Sequence, residues 1–374
     1  MHTARYLMLS AMAAFAVQTA TADVSPHLKN PVKGDPALKS VGPLSFGPGG
    51  LLLIAEPSVP AIVAVHTGDT GPAKPLAAPL ADAGGVIASA LGTTGDQIQI
   101  IDMAANASGN VYFSVRNNAA KNSSIVVISA DGSAKPLDLS KLEHVRVSLP
   151  KSETTTVRNI SDVAMTHDRV LVTGQSNEEF SSKIFSIPLP LDSTASGSIF
   201  SAETYHVAHG KWETKAPIQS FVPYDDKGTP CVLGAFACTP LAKFPLRDLS
   251  SGANVRGTSV VELGSGNRPM DVFMYSNAKG SWVVTNTLRF HQPTFGPSKY
   301  WGVRINVDLV GRNAPENTNQ NALRRNVKEP TKTPEVEILD ILSGAVQIDR
   351  INDAQMVVLR EDGDKFKLEV CALP

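Results

Sequence analysis

The amino-acid sequence predicts an all-β fold, a six-bladed β-propeller, and three observations lead to this prediction. A short apolar strand opening recurs six times, at intervals of 52 to 77 residues. A pair of β-rich segments follows each opening, with turns such as Asp131-Gly132. Gly (28) and Pro (26) are plentiful, charged residues make up 18% of the chain, and no segment sustains a 3.6-residue apolar period. The openings begin at Pro43, Ile101, Ser161, Pro217, Pro269 and Val346.

Each repeat is interpreted as one blade with strands A to D, numbered from the centre outwards. The opening is strand A, and the β-rich pair that follows it supplies strands B and C. The six pairs are 51–55 with 61–65, 110–115 with 124–128, 170–173 with 183–187, 232–236 with 241–245, 281–285 with 300–305, and 354–359 with 366–370. Candidates for strand D are 145–149, 198–200 and beyond, 258–262 and 335–339.

The sixth blade has no D strand of its own, because residue 374 follows directly after its C strand. We therefore expect the N-terminal segment 27–39 to supply that strand, so that pairing of the two terminal segments closes the ring. The longest interval predicts a surface insertion near 313–333. A degenerate seventh blade within 66–98 is the alternative.

The strand A, glycine turn, strand B pattern resembles six-bladed propellers of the lactonase, gluconolactonase and NHL-repeat type. The resemblance spans residues 23–374 and depends on the repeat pattern rather than on a diagnostic motif. It implies an architecture, because such folds carry many unrelated activities.

Residues 1–22 have the pattern of a secretory signal peptide, with Arg5, an apolar stretch from Tyr6 to Val17 and a small-residue site at Ala20-Thr21-Ala22. The sequence therefore predicts one exported propeller domain over 23–374, periplasmic or secreted. The apolar stretch is too short to span a membrane. The formal charge of −1 argues against a nucleic-acid partner.

Three cysteines, Cys231, Cys238 and Cys371, leave at least one thiol unpaired. Cys231 and Cys238 end one predicted strand, about 23 Å apart, which is too far for a disulfide. Cys371 bonded to one of them and three free thiols are both compatible with the sequence.

Acidic residues recur in strand A, where the blades meet around the channel. Asp102, Asp162 and Asp271 hold similar positions, and Asn159 and Asn267 offer amide oxygens nearby. Converging carboxylates repel each other unless a cation compensates, and Ca²⁺ accepts this mixture of oxygens. The resemblance to lactonase-like propellers implies a metal at the same mouth. In the alternative interpretation, each aspartate bonds to the backbone of the next blade and fixes the ring.

The most distinctive segment runs from Tyr205 to Glu213. Its two histidines, His206 and His209, can meet one Zn²⁺ or Cu²⁺ ion with Glu213 only if the chain turns at Gly210. Otherwise one histidine is packed and the other exposed. The same residues would also suit a general base and its partner.

Further polar residues are predicted around this mouth. Glu178 and Glu179 are adjacent in a B–C loop, so at most one faces the funnel. Arg268 and Lys211 suit an anionic substrate group, and Trp212 offers a surface on which a sugar or ring can stack.

Two functions follow from these residues. The first is a divalent-metal-dependent hydrolase or lactonase-like enzyme, in which a cation at Asp162 and Asp271 polarises a carbonyl while His206, His209 or Glu178 acts as general base. The second is a non-catalytic propeller that binds a small ligand or a protein partner at its mouth.

Overall fold

The computed structural model describes residues 25–151, 155–206, 209–237, 240–263, 267–289, 298–310 and 336–374. These residues form six sheets around a central channel, antiparallel apart from one added strand, which confirms the predicted six-bladed β-propeller. The predicted signal peptide, the insertion at 313–333 and Cys238 lie outside the described residues. Within the described part, no helix is long and apolar enough to cross a membrane.

The first two blades use the chain out of order. The three inner strands of blade I precede blade II in the sequence. Of its two outer strands, one precedes blade II and the other follows it. The segment between the two blades contains helix α1 (Ala83–Ala90). In chain order the strands are β1 (Val32–Lys33), β2 (Leu44–Gly47), β3 (Leu51–Glu56) and β4 (Ala61–His66) of blade I, then β5 (Ile98–Ala105), β6 (Val111–Asn117), β7 (Asn122–Ile128) and β8 (Ala134–Pro136) of blade II, then β9 (Glu143–Ser148), which lies between β4 and β1.

Blades III to VI follow in regular order. Blade III is extended by a short hairpin, and a strand from the next connection joins its outer edge in parallel. Its strands are β10 (Val157–Met165), β11 (Arg169–Ser176), β12 (Ser182–Pro188), β13 (Ser198–His206) and β14 (Lys211–Glu213). Blade IV contains β15 (Ile218–Asp226), β16 (Thr229–Phe236), β17 (Pro240–Pro245) and β19 (Thr258–Glu262), with β18 (Asn254–Arg256) as the parallel strand on blade III. Blade V contains β20 (Asn267–Asn277), β21 (Gly280–Arg289), β22 (Tyr300–Asn306), helix α2 (Val307–Val310) and β23 (Val336–Leu339). Blade VI contains β24 (Ala345–Arg350), β25 (Gln355–Asp362) and β26 (Lys365–Ala372).

Around the channel the blades stand in the order I, III, IV, V, VI, II. Strand β5 contacts both β2 and β24, and β10 contacts both β2 and β15. The apolar packing supports the same blade order, because six clusters of buried side chains fill the six interfaces between neighbouring blades of the described ring. Leu53 of blade I packs in one cluster with Phe185 of blade III, and Phe113 of blade II packs with Leu359 of blade VI. This side-chain burial is the main force that holds the blades together.

The predicted ring closure by the terminal segments is wrong. Strand β1 pairs with β9 of blade I, and blade VI has three strands among the described residues. The outer edge of β26 is partly covered by the connection between blades I and II, where Leu80 and Leu368 exchange two backbone hydrogen bonds of 2.8 and 2.9 Å. Side chains of α1 pack beside the same strand, so its edge is not left for the N-terminal segment.

Two further expectations about strands are corrected. The segment 145–149 is an outer strand, as predicted, but it belongs to blade I rather than blade II, whose own outer strand is β8. The segment 66–98 is not a seventh blade, because it contains α1, with Asp82 accepting a hydrogen bond from the N–H of Gly85 at its start. The predicted outer strands of blades III, IV and V are confirmed as β13, β19 and β23.

Candidate functional site

Inner strands from all six blades surround a central cavity of about 460 Å³. Four carboxyl groups reach it, those of Asp102, Asp162, Asp271 and Asp349. The first three are the aspartates that the sequence predicts at this level. Asp349 was missed, although it follows Ile348 in the sixth opening just as Asp102 follows Ile101 in the second.

Each of these carboxylates bonds to the inner strand of the next blade. The backbone N–H groups of Leu44, Phe221, Ile348 and Ala105 donate to Asp102, Asp162, Asp271 and Asp349, at 2.7, 2.8, 2.8 and 2.8 Å respectively. Four of the six blade interfaces therefore carry the same carboxylate to backbone link. This geometry is that of the alternative in which the aspartates fix the ring, and a calcium ion at these residues stays a prediction.

Burial raises the pKa of all four carboxyl groups, and their mutual repulsion adds to this effect for some of them. The pKa of Asp349 rises to about 6, that of Asp162 to about 7 and that of Asp271 to about 8. The pKa of Asp102 lies well above its usual range, because the group is buried and the charge of Asp271 is close. At pH 7 the channel therefore keeps Asp102 and Asp271 mostly protonated, whereas Asp162 is about half protonated and Asp349 is mostly ionised.

The two asparagines predicted beside the aspartates have structural hydrogen bonds. The side-chain oxygen of exposed Asn159 accepts from the N–H of Gln175 at 2.9 Å. Buried Asn267 donates to the carbonyl of Leu263 at 2.9 Å and accepts from the indole N–H of Trp301 at 3.2 Å. Neither residue lines the central cavity.

His206, His209 and Glu213 come together where blade III meets blade IV. Strand β13 ends at His206, and the N–H groups of His209 and Gly210 both donate to the carbonyl of His206, at 3.1 and 2.9 Å. Gly210 has a φ of 65°, a left-handed conformation that favours glycine. The turn that a shared ion would require at Gly210 is therefore present, and β14 returns the chain along β13 so that Glu213 lies beside the two rings.

The ligand atoms of these three residues have the spacing of a metal site. The Nδ1 atoms of His206 and His209 are 2.8 Å apart, and Glu213 Oε1 lies 2.9 Å from His209 Nδ1 and 3.9 Å from His206 Nδ1. A tetrahedral zinc ion with bonds of about 2.1 Å separates its ligands by roughly 3.4 Å, which lies within this range. Among the described residues, this is the one group of three such side chains whose ligand atoms lie within 4.8 Å of one another.

The two histidines differ in exposure, as the alternative interpretation expected, yet their rings are in contact with centroids 3.9 Å apart. The side chain of His209 is 51% exposed, whereas that of His206 is 7% exposed. Burial, together with the nearby charge of His209, lowers the pKa of His206 to about 4. His206 is therefore neutral at pH 7, the form in which an imidazole binds metal.

Glu262 stands behind His206 and was not predicted. Its carboxylate, at the end of β19 in blade IV, is buried and lies 3.8 Å from His206 Nε2, on the side of the ring that faces away from the cluster. A carboxylate at the outer nitrogen of a metal-binding histidine is a common arrangement that fixes the ring orientation. No local pattern indicates this contact, since Glu262 is 56 positions from His206 and on another blade.

The remaining predicted residues lie around the same face. The indole of Trp212 contacts Tyr205 edge-on, with centroids 5.6 Å apart, and the guanidinium of Arg256 lies 4.8 Å from its ring. Lys211 Nζ is 3.7 Å from Glu213 Oε1. Exposed Arg268 donates to the side chain of Gln219, near the start of the inner strands of blades IV and V.

The two adjacent acids differ in their partners, as extended backbone predicts. Glu178 forms an ion pair of 2.5 Å with the buried Lys183 and accepts from the hydroxyl of Thr155 at 2.8 Å. Glu179 is exposed and lines cavities on both sides of the loop. A role for Glu178 as general base stays a prediction.

The free cysteines of the described chain are Cys231 and Cys371. Burial raises the pKa of Cys231 to about 11, so it is an unreactive thiol in the interior of blade IV.

Comparison with known proteins assigns no function to the chain. No family model and no curated protein sequence matches the chain. A PQQ-bound aldose sugar dehydrogenase from Streptomyces coelicolor has 12% identity and a TM-score of 0.36 over 92% of this chain and 97% of that one. An exo-1,5-alpha-L-arabinanase from a bovine ruminal metagenomic library has 13% identity and a TM-score of 0.39 over 73% and 91%. Virginiamycin B lyase from Staphylococcus aureus has 10% identity and a TM-score of 0.31 over 92% and 98%. At these TM-scores, the resemblances assign no role to any residue of this chain.

Proposed function

We propose that this chain is an exported, divalent-metal-dependent hydrolase that binds its metal through His206, His209 and Glu213. The observation that carries the proposal is the convergence of two imidazole nitrogens and one carboxylate oxygen in a single partly exposed cluster. Two histidines and a glutamate are the ligand set of several catalytic zinc sites, which keep one position open for substrate.

The chemistry of these ligands favours Zn²⁺ or Cu²⁺ over Ca²⁺. Imidazole nitrogen suits zinc and copper, whereas calcium takes oxygen ligands alone. When bound, such an ion would polarise a carbonyl or phosphoryl oxygen of the substrate. The calcium site expected at Asp162 and Asp271 is less well supported, because the neighbouring blades already occupy those carboxylates.

The protein's own residues would prepare this site in three ways. Burial keeps His206 neutral, and Glu262 stands where it can orient the ring. Half-exposed His209 leaves one side of the cluster open to solvent. Lys211 Nζ lies 3.7 Å from the Glu213 carboxylate, and this positive charge beside the cluster would favour a substrate that carries or develops negative charge.

Metal binding tests the proposal first. The purified protein, stripped with chelator and then offered equal amounts of Zn²⁺, Cu²⁺ and Ca²⁺, should retain about one transition-metal ion per chain. His209→Ala should lose most of this metal, while His167→Ala, at an exposed histidine on blade III, should retain it. Retention of no metal by the wild-type chain, or equal retention by both variants, would sink the metal site.

Hydrolysis is tested separately on the reloaded protein, with carboxylic esters, lactones and phosphate esters as substrates. Turnover that disappears in chelator and returns with the metal supports the enzyme. Stoichiometric metal without turnover of any of these substrates would favour the second candidate, a non-catalytic binding propeller.

A further inference from the structure

A second cavity, of about 420 Å³, opens on the same face of the propeller as the histidine cluster. It lies between the loop that joins β11 to β12 and the segment that follows β14. All eight side chains that line it are polar or charged. Ligand cavities usually have mostly apolar walls, so this cavity suits a strongly hydrophilic ligand.

The cavity and the candidate metal site share one stretch of chain. Lys215, in the cavity wall, is two residues after the candidate ligand Glu213. The N–H of Ser181 donates to the carbonyl of Thr214 at 3.0 Å, and the side-chain amide of Gln175 donates to the carbonyl of Lys215 at 3.3 Å. These bonds hold the wall of the cavity against the segment that carries Glu213.

Positive charge is left available in the cavity. Arg158 and Lys215 are exposed, and neither forms an ion pair with any residue that the structure describes. Of the two acids in the wall, Glu178 is neutralised by its 2.5 Å ion pair with Lys183. Glu179 alone opposes the two cations, so the cavity favours an anion.

The neutral groups of the wall add hydrogen-bonding capacity. Asn177 uses its side-chain oxygen to accept from the N–H of Thr156 at 2.8 Å, which leaves its NH₂ group for a ligand. Gln175 uses its NH₂ group and retains its oxygen as an acceptor. A wall with both free donors and free acceptors matches hydroxyl groups, which act in both ways.

We propose that this cavity binds a small, hydroxyl-bearing organic anion, with Arg158 and Lys215 holding its charged group. Sugar acids and sugar phosphates share this chemistry. If the proposed hydrolase function holds, the cavity receives the anionic part of the substrate, and its binding does not depend on the metal.

Direct binding to the full-length mature protein, kept metal-free with chelator, tests the proposal. The probes are glucuronate, glucose 6-phosphate and glucose, measured by calorimetry or ligand-observed NMR. We expect saturable binding of at least one anion and at least tenfold weaker binding of neutral glucose. Preference for glucuronate or for the phosphate distinguishes a carboxylate ligand from a phosphate ligand.

Substitutions locate the binding. Arg158→Ala and Lys215→Ala should each weaken binding of the anion about tenfold, and Lys215→Glu should abolish it. Arg247→Ala, an exposed arginine on blade IV outside the cavity, should bind as the wild type does. Thermal melts establish that the variants are folded, as expected for exposed side chains.

Three results would overturn the proposal: no binding of either anion, equal binding of glucose, or unchanged binding in the Arg158 and Lys215 variants. Because the measurement excludes metal, any of these leaves the metal site untouched. Failure of the metal site would likewise leave the cavity's binding intact.

Discussion

At the scale of single residues, the aspartates of the channel show how one side chain can serve a repeat. Each carboxylate spans a blade interface and bonds to a backbone N–H of the next inner strand. The cost is the burial of several acids in one channel, and the raised pKa values are its measurable sign. The ring is therefore expected to respond to pH at these positions.

Asp271 gives the clearest pH prediction. Its pKa is about 8 in the folded chain and roughly 3.9 when unfolded. Because the folded state holds the proton more tightly, its stabilising contribution is complete below about pH 4 and is lost as pH rises from there through about 8. The loss is about 1.4 kcal/mol per pH unit for one such group.

Asp271→Asn should therefore melt at a temperature close to that of the wild type at pH 4, and lose less stability than the wild type between pH 4 and pH 8. The amide oxygen can still accept from the N–H of Ile348. Asp364→Asn, at an exposed site, serves as the control and should follow the wild-type profile. Parallel profiles for the wild type and Asp271→Asn would contradict the prediction.

At the scale of elements, the β13–β14 hairpin brings His206, His209 and Glu213 together into one cluster. Two histidines three positions apart point to opposite sides of a regular strand. The left-handed turn at Gly210 reverses the chain and brings His209 back against His206. The sequence allowed this turn but did not require it, because glycine is compatible with many conformations.

Gly210→Ala should weaken metal binding without disturbing the propeller. An added Cβ meets no atom closer than 4.0 Å, so the effect comes from the left-handed backbone, at roughly 1 kcal/mol, or about fivefold in affinity. Gly228→Ala is the matched control, since that glycine is also left-handed and in open space, at the β15–β16 turn. Equal metal affinities of the two variants would show that the turn does not control the site.

The sequence predicted the inner three strands of every blade well, since alternation, β-branched residues and turns are local signals. It predicted the outer strands 198–200, 258–262 and 335–339 for the same reason. It could not assign 145–149 to blade I, because an outer strand has the same local pattern whichever blade it joins. Glu262 was missed because its contact with His206 depends on how two blades pack, which no local pattern encodes.

At the scale of the whole molecule, β9 joins parts of the chain that are far apart. Arg146 on this strand forms an ion pair with Glu56 of β3 and donates to the carbonyl of Pro36 at 2.6 Å. Glu56 is fully buried, and it also accepts from the N–H of Lys39. Strand β9, the segment before β2 that contains Lys39, and strand β3 are thus connected through the buried carboxylate of Glu56.

Arg146→Ala should lower the free energy of unfolding by about 3 to 5 kcal/mol, because it leaves a buried carboxylate without its cation. Arg169→Ala removes an arginine from a more exposed pair with Asp168 and should cost at most about 1 kcal/mol. Urea unfolding of both variants measures the difference. Similar values for the two would mean that the Glu56 pair does not stabilise the fold.

The position of β9 also matters while the chain is being made. Strand β4 is apolar and buried from Ala61 to Val65 in the finished protein, and its outer edge pairs with β9. That partner, residues 143 to 148, emerges from the ribosome only after the whole of blade II. Until then the nascent chain presents an unpaired hydrophobic edge, the kind of surface on which chaperones act and from which aggregation begins.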